Sequence, residues 1–157
     1  MKILTLMRHG EAEHGLGQVD DFSRKLSGTG KERLKILNGK LIRNDQKFDL
    51  LIKSPALRAH ETAKLITYHL KIAKEIIEPA IYEGSVEKLL EILKHLSDEF
   101  DNVLLVGHNP GISSLLLYLT DEINISLWPG MMAIVNLDIP NWDMLSSGTG
   151  SLKEVLQ

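Results

Sequence analysis

The sequence predicts an α/β fold in three layers, a mainly parallel sheet flanked by helices, with an antiparallel edge strand. Three observations carry the prediction. Short apolar runs, KILTLM, FDLLIKS and NVLLVGH, have the length and bulk of buried strands. Stretches between them place leucine and alanine at helical spacing, so strand and helix alternate as in parallel sheets built from crossover units. Late in the chain, MMAIVNLDI and NWDMLSS follow one another with no helix between, which predicts an antiparallel pair at the sheet edge.

The elements follow in order. KILTLM is a buried strand, and the polar, glycine-rich stretch GEAEHGLGQVDDFSRKLSGTG after it is a long loop. Thr29 and Glu32 form a capping-box pattern that opens a helix with its apolar stripe at Leu34, Leu37 and Leu41. FDLLIKS is the second strand. Ser54-Pro55 then reads as a helix cap and first turn, followed by the stripe Ala59, Ala63, Ile66 and Leu70. IIEPAIY is a third strand weakened by Pro79. Val86, Leu89, Leu90, Leu93 and Leu96 mark a further helix. NVLLVGH is the strongest strand signal in the chain, and Asn109-Pro110 caps the helix ISSLLLYLT. The terminal SLKEVLQ reads as a short helix or a frayed tail.

Composition bounds the function. The 157 residues suit one domain spanning 1–157. The absence of cysteine excludes disulfides, a thiolate nucleophile and zinc–thiolate sites. A net charge of −3 offers no basic footprint for nucleic acid or an acidic membrane, and Trp128 and Trp142 are too isolated to make a base-stacking platform. No apolar run approaches the roughly 18 residues of a membrane span, and the N-terminus lacks the regions of a signal peptide. A cytoplasmic protein is expected.

Ligands of open parallel sheets gather beyond the carboxyl ends of the strands. The first strand ends at Arg8-His9-Gly10, the second leads to Arg58 in the first turn of its helix, and VLLVG ends at His108. If these strands are neighbours, two arginines and two histidines converge, with helix N-termini aimed at the same place. Such a cluster suits a tetrahedral dianion, and the arginine fork matches phosphate oxygens.

Arg8-His9-Gly10, the SPALRAHETA stretch around Arg58, and Gly107-His108 together resemble the signature of the histidine phosphatase superfamily, which also contains the cofactor-dependent phosphoglycerate mutases. The resemblance runs from the first strand to Leu137. The short length, Ala12 after RHGE, and the GHNPG stretch look most like the small SixA-type phosphohistidine phosphatases. The resemblance implies a phosphoglycerate mutase-like fold and no metal or other cofactor. It implies His9 as nucleophile, a phosphohistidine intermediate, and Arg8, Arg58 and His108 around the phosphoryl oxygens. Gly10 and Asn109 are placed with them in phosphate binding. Glu83 in AIYEGS stands where the family has its proton donor. Glu11 follows the triplet, where the family has an acidic residue without that role.

Other polar residues read more plainly. Asp20-Asp21 is a solvated turn, and Arg24 is a rim contact or a solvated loop charge. His60 is either a neighbour of the pocket or an exposed helix residue, and His14, His69 and His95 are surface or boundary groups. A metallohydrolase built on His9, Glu11, His14 and His108 lacks a recognised ligand spacing, and the arginines would repel a cation. Family members acting on small phosphometabolites carry a long helical insertion before the second histidine. Here only VEKLLEILKHLSDEFDNVLLVG intervenes, so an open pocket without a lid is expected. That suits phosphohistidine in a partner protein. The alternatives are a small phosphate ester such as a sugar phosphate and, more distantly, a non-catalytic phosphate-binding module.

Overall fold

The computed structural model describes residues 1–157. In chain order the elements are β1 (Lys2–Arg8), α1 (Gly28–Arg43), β2 (Phe48–Lys53), α2 (Leu57–Ile66), β3 (Ile72–Ile77), α3 (Val86–Lys94), β4 (Asn102–Gly107), α4 (Gly111–Thr120), β5 (Met132–Leu137) and β6 (Gly150–Leu156). The strands form one six-stranded sheet in the order β3-β2-β4-β1-β5-β6. The first four of that order run parallel, and β5 is antiparallel to both β1 and β6.

The alternation of side chains along the central strands explains the layers. In β1, Leu4 and Leu6 face one side and Met7 the other; in β4, Val103 and Leu105 oppose Leu104 and Val106. Leu4, Leu6, Val103 and Leu105 pack with Leu89 and Leu93 of α3 and Leu115, Leu116 and Leu119 of α4. Met7, Leu104 and Val106 pack with Leu34, Leu37 and Leu41 of α1 and Ala59, Ala63 and Ile66 of α2. A sheet buried on both faces needs the near-continuous apolar strands that the sequence supplies.

Several local readings shift. The cap of α1 is Ser27, whose hydroxyl accepts from Gly30 N–H at 2.9 Å, rather than Thr29. Ser54 does not cap α2; that helix starts at Leu57 with no side-chain cap, and Ser54 is diverted into the site. The third strand is IAKEII, because Pro79 opens a short 3-10 turn over Pro79–Ile81. Pro110 holds the cap position of α4, while the Asn109 carboxamide oxygen accepts from the Ser113 hydroxyl at 2.8 Å. The antiparallel pair exists, but its second strand is β6, drawn from SLKEVLQ. NWDMLSS instead forms a 3-10 turn over Trp142–Met144 that buries Trp142 completely. Its indole N–H donates to Phe100 O at 2.8 Å, so the ring fills the core with no unpaired polar atom.

The two tryptophans therefore behave oppositely. Trp142→Ala is expected to lower the unfolding free energy by about 3–5 kcal/mol through the cavity it leaves. Trp128, 72% exposed, is expected to change it by no more than about 0.5 kcal/mol when replaced by alanine. Urea unfolding of the two variants measures both.

Candidate active site

The sheet order makes β2, β4 and β1 neighbours, so the three chemistry-bearing strand ends lie side by side. Backbone pairing continues past the strands: His9 N–H donates to Gly107 O at 3.0 Å and Ser54 N–H donates to Val106 O at 3.1 Å. The His9 and His108 ring centroids are 5.1 Å apart. Arg58, in the first turn of α2 and 6% exposed, lies between them. Its Nε donates to His9 Nε2 at 3.3 Å and its Nη2 lies 3.4 Å from His108 Nδ1.

These partners fix both imidazole tautomers. His9 Nδ1 is 2.7 Å from Gly10 O, which can only accept, so Nδ1 carries the hydrogen and Nε2 the lone pair. The Arg58 group at His108 Nδ1 can only donate, so His108 Nε2 carries its hydrogen and donates to Ser54 Oγ at 2.8 Å. Both rings are neutral in the free site. Burial, offset in part by the Gly10 hydrogen bond and reinforced by Arg58 and Arg8, pushes His9 down to about 4. Burial, then His9 and Arg58, pushes His108 down to about 3.

Arg8 completes the group from the end of β1. Its Nη1 donates to Leu127 O at 3.2 Å, while its buried Nε has no partner. A buried, unsatisfied guanidinium nitrogen is costly unless an anion meets it. Thr62, one turn along α2, ties the segments together: its hydroxyl accepts from Gly10 N–H at 2.9 Å and donates to Arg58 O at 2.6 Å. Gly10 also has a packing reason to be glycine, since a Cβ there would meet Leu34 Cδ1 at 2.9 Å.

The site contains a carboxylate that the sequence reading placed in solvent. Asp21 opens a 3-10 turn over Asp21–Ser23, with Asp20 as its cap. Its backbone carbonyl accepts from Arg58 Nη1 at 2.6 Å and its Oδ2 from Arg58 Nη2 at 3.0 Å. Oδ2 also accepts from the Tyr82 hydroxyl at 2.6 Å, and Oδ1 from Arg24 Nη1 at 3.0 Å. Arg24 is thus a strut of the rim. The Tyr82 hydroxyl first, then Arg24 and Arg58, hold the Asp21 carboxyl well below the usual carboxylate range.

Arg8, His9, Arg58 and His108 come together; other candidates do not join them. Glu83 is exposed, in a shallow groove with Tyr82, Ser85 and Lys88, and none of the cluster's hydrogen bonds involves it. Asn109 spends its carboxamide on Leu127 O and Ser113. Glu11 accepts from the Ser27 hydroxyl at 2.8 Å and faces Arg33, which ties the triplet to the cap of α1. His60 is exposed beside Lys64 and Glu75, away from the cluster, and His14 is exposed. No three His, Asp or Glu side chains converge in the manner of a metal site. No helix is long and apolar enough to cross a membrane. Ser54, Thr62, Asp21 and Tyr82 are the site residues that sequence reasoning missed. Only Thr62 carried a usable signal, standing one helical turn after Arg58 on the same face.

A sequence model of the histidine phosphatase superfamily (branch 1) matches residues 4–89. An uncharacterised protein of Mycobacterium leprae is 29% identical over 117 residues, 73% of this chain and 71% of that one. The structure of the protein histidine phosphatase SixA complexed with tungstate superposes with a TM-score of 0.83 at 23% identity, covering 99% of this chain and 96% of that one. The alpha-ribazole phosphatase of Shigella flexneri superposes with a TM-score of 0.67 at 18% identity, over 96% and 94%. These likenesses show the phosphoglycerate mutase-like α/β fold.

The depressed histidines set a proton balance for anion binding. A bound dianion favours the imidazolium form of His108, which then donates through Nδ1. Tungstate binding is therefore expected to take up protons, and the uptake to grow as pH falls from 7 to 5.5. Calorimetry in buffers of different ionisation enthalpy measures this, and heats independent of buffer would refute it.

Proposed function

The chain belongs to the histidine phosphatase superfamily, and we propose that it is a metal-independent phosphatase that uses His9 to remove phosphate from phosphohistidine in a partner protein. The observation that carries this reading is the state of the carboxyls at the cluster. Asp21, the one that touches it, is held ionised and has no proton to give. Glu83 stands outside its hydrogen bonds. A sugar alkoxide is a strongly basic leaving group and needs an acid; an imidazole that carries a proton on its other nitrogen leaves as a neutral ring, is far less basic and needs none at the leaving nitrogen. The likeness to SixA supports the same substrate class.

The chemistry follows from the tautomers. The His9 Nε2 lone pair attacks phosphorus in line with the leaving nitrogen. Arg58 Nε gives up its contact with Nε2 as phosphorus takes that place and turns to a phosphoryl oxygen. Arg8, Arg58 and the His108 imidazolium meet the charge on the equatorial oxygens; positioning and electrostatics of this kind supply most of phosphoryl-transfer catalysis. Water then attacks the phosphohistidine and returns His9 as a neutral ring.

A second reading has one observation behind it. A groove of about 870 Å³ runs beside Arg8, lined by Glu11, Arg33, Ile36, Trp128 and Gly130. It has room for the body of a small phosphate ester; Glu83, in a separate groove, would have to reach across the cluster to supply the proton.

Rapid quenching in alkali, where the phosphoramidate bond survives, with ³²P-labelled substrate is expected to place the label on His9 and to find none in His9→Ala; label elsewhere overturns the nucleophile. Glu83→Gln is expected to keep phosphohistidine turnover within about threefold, against the roughly 10²–10⁴-fold loss that follows removal of a required acid. Activity is expected to survive excess EDTA. A wild-type preference for sugar phosphates over phosphohistidine would favour the second reading.

A further inference from the structure

Phosphate binding leaves Asp21 unexplained. A carboxylate beside a dianion site repels the phosphoryl group, and Arg58 could be held by a neutral acceptor. Two aromatic rings accompany it. The Phe22 and Tyr82 centroids are 5.2 Å apart, edge to face, and the Tyr82 ring is 5.5 Å from that of His108. Asp21 and Phe22 project from the Glu11–Gly28 loop and Tyr82 from the opposite segment, so they form one wall beside the cluster.

We infer that Asp21, Phe22 and Tyr82 form the subsite for the leaving ring of the substrate, a protonated imidazole. The inference rests on the phosphohistidine reading above and names the residues that would select that leaving group. A carboxylate has about four lone-pair directions. Arg24, Arg58 and the Tyr82 hydroxyl take three at Asp21, and its side chain remains 54% exposed, so a direction opens to solvent. Phe22 is 41% exposed and offers a ring to a flat cation, whose charge the aromatic quadrupole attracts. The charge balance agrees. Arg8, Arg24 and Arg58 oppose Asp21 and a dianion, and a cationic ring is the substrate part that tolerates the carboxylate.

The groups facing Asp21 are Arg24 on its own loop, Arg58 of α2, Tyr82, and the His108 ring against which Tyr82 packs; Asp20 turns away to cap Ser23 N–H at 2.8 Å. In the reaction the His9 Nε2–P bond forms and the substrate's N–P bond breaks. The electron pair of the broken bond returns to the ring nitrogen. The ring leaves neutral, keeping the proton on its other nitrogen, which Asp21 holds by a hydrogen bond. No proton has to reach the leaving nitrogen. The enzyme's own ring is treated in the same way, since Gly10 O holds the His9 Nδ1–H when Nε2 loses phosphate to water.

The test compares two substrates, phosphoimidazole and acetyl phosphate, whose leaving group is an acyclic anion. At pH 7.5 Asp21→Asn is expected to lower kcat/KM for phosphoimidazole by about thirtyfold, the scale of a hydrogen bond to a charged group. The loss for acetyl phosphate is expected to be at least tenfold smaller. The phosphoimidazole defect should shrink as pH falls to 6, where solvent protonates the ring. Phe22→Ala is expected to raise KM for phosphoimidazole about fivefold, the low end for a cation–π contact, and to leave acetyl phosphate within about twofold. Equal losses on both substrates, or a defect independent of pH, would show that Asp21 only braces Arg58 and overturn the subsite. The parent reading is judged separately, by wild-type turnover of phosphohistidine-bearing protein against sugar phosphates.

Discussion

The site depends on two backbone hydrogen bonds at the end of the sheet. His9 N–H to Gly107 O and Ser54 N–H to Val106 O extend the β1–β4 and β4–β2 ladders beyond the strands. They continue the register that pairs Arg8 with Gly107 and Lys53 with Val106. Side chains on adjacent parallel strands at matched register are close neighbours whatever their separation in sequence. A slip of one residue would turn the leucines of β4 to the wrong face, so the two buried cores lock this register. The convergence of His9, Ser54 and His108 is thus maintained by the same apolar burial that holds the sheet between its helices.

On that base the electrostatics are a closed circuit of donors and acceptors. Arg58 spends its nitrogens on His9, His108 and Asp21, and Asp21 spends its oxygens on Arg24, Arg58 and Tyr82. Each imidazole has one nitrogen tied to the scaffold, at Gly10 O and Ser54 Oγ, and one turned toward Arg58. The free site holds its histidines neutral against three arginines. The charge that a substrate dianion must meet is preorganised in guanidinium groups, and His108 adds to it only once the dianion is present.

Much of this was legible in the sequence because strand ends are local events. An apolar run that stops at Arg8-His9 or Gly107-His108 announces both the strand and what it presents, and the alternating pattern fixed the layers. The resemblance of the ordered set to a known family then carried the chemistry. The misreadings share a cause. Asp21, Tyr82 and Ser54 owe their roles to partners distant in sequence, so a loop carboxylate looked like a turn and a buried hydroxyl like a cap. The sequence alone reads SLKEVLQ as a helix or tail and NWDMLSS as a strand, because edge strands and short turns lack periodicity strong enough to separate them. Pairing with β5 decides the first, and burial of Trp142 decides the second.

The absence of a proton donor among the cluster's contacts need not be a defect. An acid and an ionised carboxylate suit different leaving groups: the first neutralises an alkoxide as it forms, the second favours a ring that is already protonated. A carboxyl cannot hold both states at one pH, and the two arginines and tyrosine at Asp21 settle which one it holds. A site that binds a flat cation against Asp21 has given up the proton it would need for an ordinary ester. On the proposed reading, substrate choice is set less by the four residues that meet the phosphoryl group than by the charge state of one loop carboxylate beside them. On the proposed subsite, Asp21→Asn weakens transfer from a cationic ring more than transfer from an anionic leaving group, and it supplies no acid for an alkoxide.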